Sequence, residues 1–120
     1  MGLDWHHFVV AIDGHERVIG CGQIKEHRDG ARELASLVVA HEWRGRGVGG
    51  AIMRWLMGEA GPTLWLMCRS GLVPFYSKFG FREVGSDEPQ PRYFRRMRAL
   101  ARAFLFAQRD HYLAIMAWRG

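Results

Sequence analysis

A single mixed α/β domain is the fold class that the sequence predicts, and three stretches predict it. The residues before 41 read as short strands broken by the turn signals Asp13-Gly14 and Arg28-Asp29-Gly30. The run Arg44 to Gly50 then joins an apolar strand to an amphipathic helical pattern. Thr63 to Cys68 is a continuous apolar stretch, as in a strand buried on both faces. Strands on either side of a glycine-led helix make a mixed sheet, and the strand–helix–strand crossover should be parallel and right-handed. At 120 residues the chain is read as one domain, 1–120, with one hydrophobic core.

Taken in order, residues 6–12, Arg17 to Lys25 and Arg32 to Ala40 read as three antiparallel strands in meander order. Gly20 and Gly22 either weaken the second strand or mark a close approach to it. His41, Glu42 and Trp43 form a polar corner before a helix over about 45–58, with Val48, Ile52, Trp55 and Leu56 on one side. Gly58 to Pro62 stops that helix. After the buried strand, Ser70 caps a short helix, Pro74 sits in its first turn and Gly80 is its C-terminal glycine. Phe81 to Val84 is a short strand. Pro91 to Gln108 reads as a long helix with Tyr93, Met97, Leu100 and Phe104 as its apolar stripe and a series of arginines elsewhere. Tyr112 to Trp118 is the last strand.

Composition narrows the class. The 48% hydrophobic and 24% charged fractions are those of a folded globular chain and exclude a disordered one. The net charge of +5 suits an anionic ligand, or is simply a basic surface. Cys21 and Cys68 lie in apolar runs, which predicts reduced, buried thiols in a cytoplasmic protein rather than a disulfide framework. No apolar run reaches the ~18 residues of a membrane span, so no membrane partner is expected. The first residues lack the pattern of a signal peptide and the Ser/Thr of a myristoylation site.

The segment Glu33 to Met57 carries the chemistry. The first N–H groups of a helix have no intrahelical partner, and the helix dipole places partial positive charge there. Glycines allow a phosphate to approach those groups, and Arg44 and Arg46 add two cations that can fork onto its oxygens. Gly45-x-Gly47-x-x-Gly50 matches a dinucleotide fingerprint, yet the acid that should follow about 20 residues on to hold a ribose is missing. No Gly-Lys-Ser/Thr follows for a P-loop. A glycine turn serving only tight packing would leave the two arginines unexplained.

Two further blocks give the run a context. Arg44-x-x-Gly47-x-Gly49 follows the apolar strand Leu37-Val38-Val39-Ala40, and Phe75-Tyr76-Ser77-Lys78-Phe79-Gly80-Phe81 follows the strand Leu64 to Cys68. In this order and separation they resemble the GCN5-related N-acetyltransferase (GNAT) superfamily, over roughly residues 8–85. The resemblance implies a GNAT-like acyl-CoA N-acyltransferase fold. It would lack the usual N-terminal strand and helices and would carry an extra arginine-rich helix before the last strand.

By the same resemblance, acetyl-CoA is the co-substrate; the histidine spacing assigns no metal. The pyrophosphate would sit on Arg44, Gly45, Arg46, Gly47, Val48, Gly49 and Gly50, and the pantetheine arm along Leu37, Val38 and Val39 as an added strand. A primary amine, on a small molecule or a protein, would attack the thioester directly in a ternary complex. Tyr76 would meet the sulfur and protonate the leaving thiolate, the Val39 N–H would face the oxyanion, and the base would be Glu33 or a water relay, Glu33 being otherwise a solvated strand-end carboxylate. Strict alternation places Glu33, Ala35, Leu37 and Val39 on one strand face, unless a bulge intervenes.

Other candidates are set beside these. Cys68 as a nucleophile has no His close in sequence, Lys78 is either a phosphate contact or a solvated lysine, and the histidines show no metal-ligand spacing. An acceptor site without the N-terminal helices would be open or completed by another subunit, so a homodimer is one expectation. The arginine-rich helix either covers the sheet or meets an acidic partner. The competing function class is a catalytically weak module that binds coenzyme A, protein or nucleic acid; nucleic acid is the less expected partner.

Overall fold

In the computed structural model, residues 8–105 and 112–120 are described, the side chains of residues 104 and 105 excepted. The chain runs β1 (Phe8–Ile12), β2 (Val18–Glu26), β3 (Arg32–Val39), α1 (Val48–Ala60), β4 (Leu64–Arg69), α2 (Val73–Ser77), β5 (Arg82–Glu83), α3 (Arg92–Leu105) and β6 (Leu113–Trp118). His6 and His7 of the expected first strand, residues 106–108 of the expected long helix and the Phe104 side chain lie outside the described residues.

The strands form one six-stranded sheet in the order β1-β2-β3-β4-β6-β5. β1, β2 and β3 are the expected antiparallel meander, and β3 and β4 are parallel across the α1 crossover. Local chemistry closes the hairpins. Asp13 Oδ1 accepts from the N–H groups of His15 and Arg17 at 2.8 and 3.0 Å, and Asp29 Oδ1 accepts from Ala31 N–H at 3.0 Å. Arg32, at the start of β3, donates to the carbonyls of Ala60, Gly61 and Pro62, gathering the free end of α1.

The main core lies between α1 and the sheet, where Ile52, Met53 and Leu56 meet Ile24, Leu34, Leu64 and Leu66. Gly20 and Gly22 mark a close approach: a Cβ on Gly22 would stand 2.7 Å from Ile52 Cγ2 and 2.9 Å from Leu56 Cδ1. This seating turns the expected helix face. Met53 is fully buried, whereas Trp55 is 59% exposed. The 100° step per residue puts Trp55 roughly 100° from the centre of the buried line 52-53-56.

The other face of β4 and β6 is covered by α3 through Phe94, which is fully buried against Val84, Ile115 and Ala117. This corrects the expected stripe: Phe94 is the anchor and Leu100 is exposed. The contacts to the sheet come from the first two turns of α3, where Arg98 Nη2 also donates to the Val84 carbonyl at 2.6 Å. Ser70 is not a helix cap. It stands in a 3-10 turn before α2, exchanges bonds with Tyr112 backbone, and leaves Pro74 in the first turn of α2 as expected.

A bulge in β3 decides what faces the site. Ile24 pairs with Leu34, Gln23 with Ala35 and Cys21 with Val38, so Ser36 and Leu37 stand against Gly22 alone. Ser36 takes φ +59°. Alternation therefore breaks: Leu37 joins Leu34 in the core beneath α1, and Val39 lies toward Gly49 of α1. The expectation that Glu33, Ala35, Leu37 and Val39 share one face is thus corrected, because the extra residue flips the parity after Ala35.

Candidate active site

β3 and β4 are joined by one registered pair among the described residues, Glu33 with Trp65, and diverge beyond it. Their separation exposes strand edge on the side where α1 begins. There Gly45 and Gly47 adopt φ of +78° and +83°, a region that glycine enters without a Cβ penalty. Gly47 is the N-cap residue of α1, no side chain caps the helix, and its first turn carries no acid. The first intrahelical bond runs from Ala51 N–H to the Gly47 carbonyl at 3.0 Å, so the N–H groups of residues 48–50 point out of the helix start.

A cleft of about 490 Å³ opens onto this turn. Of the residues expected to hold the coenzyme, Leu37, Val38, Val39, Arg44, Gly45, Gly47, Val48, Gly49 and Gly50 line it. Arg46 stands outside the lining, its guanidinium 5.0 Å over the Trp43 ring. Arg44 Nε donates to the Val39 carbonyl at 3.2 Å, which ties the turn to the end of β3. Trp43, Leu72 and Phe75 also line this cleft. Their signal was present in sequence, since each adjoins one of the two blocks.

A second cleft of about 620 Å³ lies on the Glu33 side, with Gln23, Lys25, Cys68 and Tyr93 among its lining residues. Leu37, Leu72 and Tyr76 line both clefts. Tyr76 packs edge-on against Phe75 and Phe81. Burial, with Cys68 adding to it, raises the Tyr76 phenol above its ordinary value, which keeps the proton on its oxygen at neutral pH. The same cause, joined by the Glu83 carboxylate, pushes the Cys68 thiol up to about 11 and argues against a thiolate nucleophile there.

Glu33 is the buried charged residue of this region, 4% exposed. His27 Nε2 lies 2.9 Å from Glu33 Oε1. The local sequence does not reveal this partner, because the pairing depends on how the β2–β3 turn folds back. Among the described residues no group of three or more His, Cys, Asp or Glu side chains is placed to hold a metal ion. The open turn, the uncapped helix start and Arg44 fit a pyrophosphate, and the apolar cleft beside β3 fits a slender acyl carrier.

Comparison with known proteins agrees with this geometry. A family model described as an acetyltransferase (GNAT) domain matches residues 4–83. N-acetylglutamate synthase from Neisseria gonorrhoeae, complexed with coenzyme A and N-acetyl-glutamate, is similar with TM-score 0.69 and 17% identity, over 94% of this chain and 25% of that one. A putative streptothricin acetyltransferase from Bacillus anthracis in complex with acetyl coenzyme A is similar with TM-score 0.66 and 18% identity, over 94% and 62%. A Mycobacterium tuberculosis protein in complex with CoA is similar with TM-score 0.68 and 20% identity, over 95% and 76%. The chain thus spans about a quarter of the synthase and under two thirds of the Bacillus protein.

Proposed function

The chain belongs to the acetyltransferase (GNAT) domain family, and from that premise we propose that residues 1–120 form one N-acetyltransferase domain moving acetyl from acetyl-CoA to a primary amine. One observation carries the reading. Tyr76, Leu37 and Leu72 line both clefts, so a thioester entering past the glycine turn and an amine entering past Glu33 meet beside one phenol.

Acetyl-CoA supplies the activated acetyl group. The amides of residues 47–50 and Arg44 and Arg46 bind its pyrophosphate, and the edge of β3 at Leu37, Val38 and Val39 receives its arm. Glu33 takes the proton from the acceptor ammonium, and the freed nitrogen forms the C–N bond to the acetyl carbon. The Val39 N–H faces the oxyanion. As the C–S bond breaks, the sulfur leaves with its electron pair and takes a proton from Tyr76 Oη. The nitrogen, which still carries one proton too many after attack, gives it to the Tyr76 phenolate, Glu33 releases its own to solvent, and the products are an N-acetyl amine and the free thiol.

The acceptor is a small-molecule or protein amine. We place the protein in the cytoplasm, supported by Cys21 and Cys68 standing as free thiols. A homodimer through the face away from α1 is supported by exposed Val10, Ile12, Val18 and Val38 there, and light scattering of the purified chain tests it.

The test of function is thiol release from acetyl-CoA against a panel of amines, with Tyr76→Phe and Glu33→Gln as controls. Turnover slowed in both variants is expected. Tight coenzyme binding without turnover on any amine would instead favour a coenzyme-binding module.

A further inference from the structure

We propose that His27 and Tyr93 form a clamp that positions the Glu33 carboxylate, which makes α3 part of the acceptor side of the site. This rests on the reading of Glu33 as the base.

The carboxylate is nearly closed off, and a buried charge without a donor is costly. His27 supplies that donor at 2.9 Å, with the two side chains 12% and 5% exposed. An ionised carboxylate only accepts, so the bonded imidazole nitrogen is the one that carries hydrogen. It occupies Oε1 and leaves the remaining carboxylate lone pairs for an amine on the cleft side. Lys25 stands opposite Glu33 in register, yet its ammonium leans over the Tyr93 ring, 6.0 Å from the centroid.

The imidazole is itself held. Its ring lies 4.1 Å from that of Tyr93, tilted by 31°, and meets fully buried Phe94 edge-on at 5.9 Å. Its backbone is pinned by bonds of 2.9 Å from His27 N–H to the Ala31 carbonyl and from Gly30 N–H to the His27 carbonyl. Packing, backbone and hydrogen bond therefore give the ring one orientation, the condition for a supporting group to fix a reactive one. Tyr93 belongs to α3 and lines the same cleft as Glu33, while the family match ends at residue 83.

The test uses the full chain, with thiol release measured on ethanolamine, spermidine, free amino acids and a short peptide as acceptors. His27→Ala should lower kcat ~10–100-fold while the KM for acetyl-CoA stays within about twofold. His27→Gln, which keeps a donor, should recover part of the loss, as should added imidazole in His27→Ala. Tyr93→Ala should be slower than Tyr93→Phe, which keeps the ring. In a Glu33→Gln background, His27→Ala should have no further effect, the mark of residues acting through one another. Nitrogen-edited NMR should show a protected Nε2–H on His27 that is lost in Glu33→Ala, which removes the acceptor. If His27→Ala does not fold, His27→Gln and the NMR signal decide. A slow Glu33→Gln beside an unaffected His27 variant, or independent effects of the two, would overturn the clamp alone. An unimpaired Glu33→Gln would overturn the base reading, and the clamp's catalytic role with it.

Discussion

Glu33 stands opposite Trp65, and this is the one registered pair by which β3 holds β4 among the described residues. On its other side β4 pairs with β6 at every position from Leu64 to Arg69. The sheet is therefore firm on one flank of β4 and open on the other. The bulge at Ser36 lies in β3 beside the opening, and the two clefts that share Tyr76 are lined by this strand. Unpaired strand edge, costly elsewhere, is left here along both clefts.

The seating of α1 on β2 depends on the absence of a side chain at Gly22. Ile52 and Leu56 are 3% and 2% exposed, so neither can swing outward to make room. Gly22→Ala should destabilise the fold by about 1–3 kcal/mol in chemical denaturation. Gly14→Ala, where nothing lies within 4 Å, should shift it by less than about 0.5 kcal/mol.

Tyr76→Phe removes the proposed proton donor without emptying its aromatic site. The expected result is a kcat lowered ~10²-fold with the KM for acetyl-CoA within about twofold. Burial raises the phenol, so loss of activity through its ionisation should set in only above pH ~10, as rate profiles of wild type and variant would show.

Arg44 and Arg46 flank the glycine turn and differ in their ties. Replacing either with alanine should weaken acetyl-CoA binding about 10-fold in calorimetry, an effect that shrinks as salt rises. Arg44→Ala should also cost some stability, since its Nε bond to the Val39 carbonyl is lost.

Cys68 makes the fold sensitive to alkali. Its thiol ionises near 11 when folded and near its ordinary 9.0 when unfolded. Between those values the unfolded state binds fewer protons, so stability falls as pH rises from about 9 to 11 and is unaffected below. The loss should be about 1–2 kcal/mol, discounted for partial solvent screening, and Cys68→Ser should flatten it. Thiol labelling at neutral pH should spare Cys68 in the folded protein.

Phe94 anchors α3. Phe94→Ala should cost about 3–5 kcal/mol in denaturation and loosen the helix, reported by faster hydrogen exchange over residues 92–100. A slowed acetyl transfer in a variant that remains folded would follow if α3 supports the site through Tyr93.

Most of the element order was legible in the sequence, because turn chemistry and apolar runs are local. Asp13-Gly14, Arg28-Asp29-Gly30 and the 63–68 run each state their own structure within a few residues. The glycine turn and the Phe75-Tyr76 block were legible for the same reason. On the two long helices, structure and periodicity differ in which face a residue shows. Periodicity places Trp55 and Leu100 on the apolar faces of α1 and α3, yet Met53 and Phe94 are the ones buried, because periodicity finds an apolar arc but not the angle at which a neighbour meets it. Ser70 carries a cap's chemistry, but its hydroxyl oxygen accepts instead from the N–H of Tyr112, just before β6.

By itself, then, the sequence determined the strand–glycine turn–helix unit with its open helix start, the tyrosine block downstream and the place of Glu33 on β3. Each depends on contiguous residues whose backbone preferences act together. The tertiary structure decided that Ser36 breaks the alternation of β3, that Tyr76 stands between two clefts, and that His27 and Tyr93 gather around Glu33. Those outcomes turn on strand register, on how the β2–β3 turn folds back and on the docking of α3, and no local preference encodes how separate elements meet.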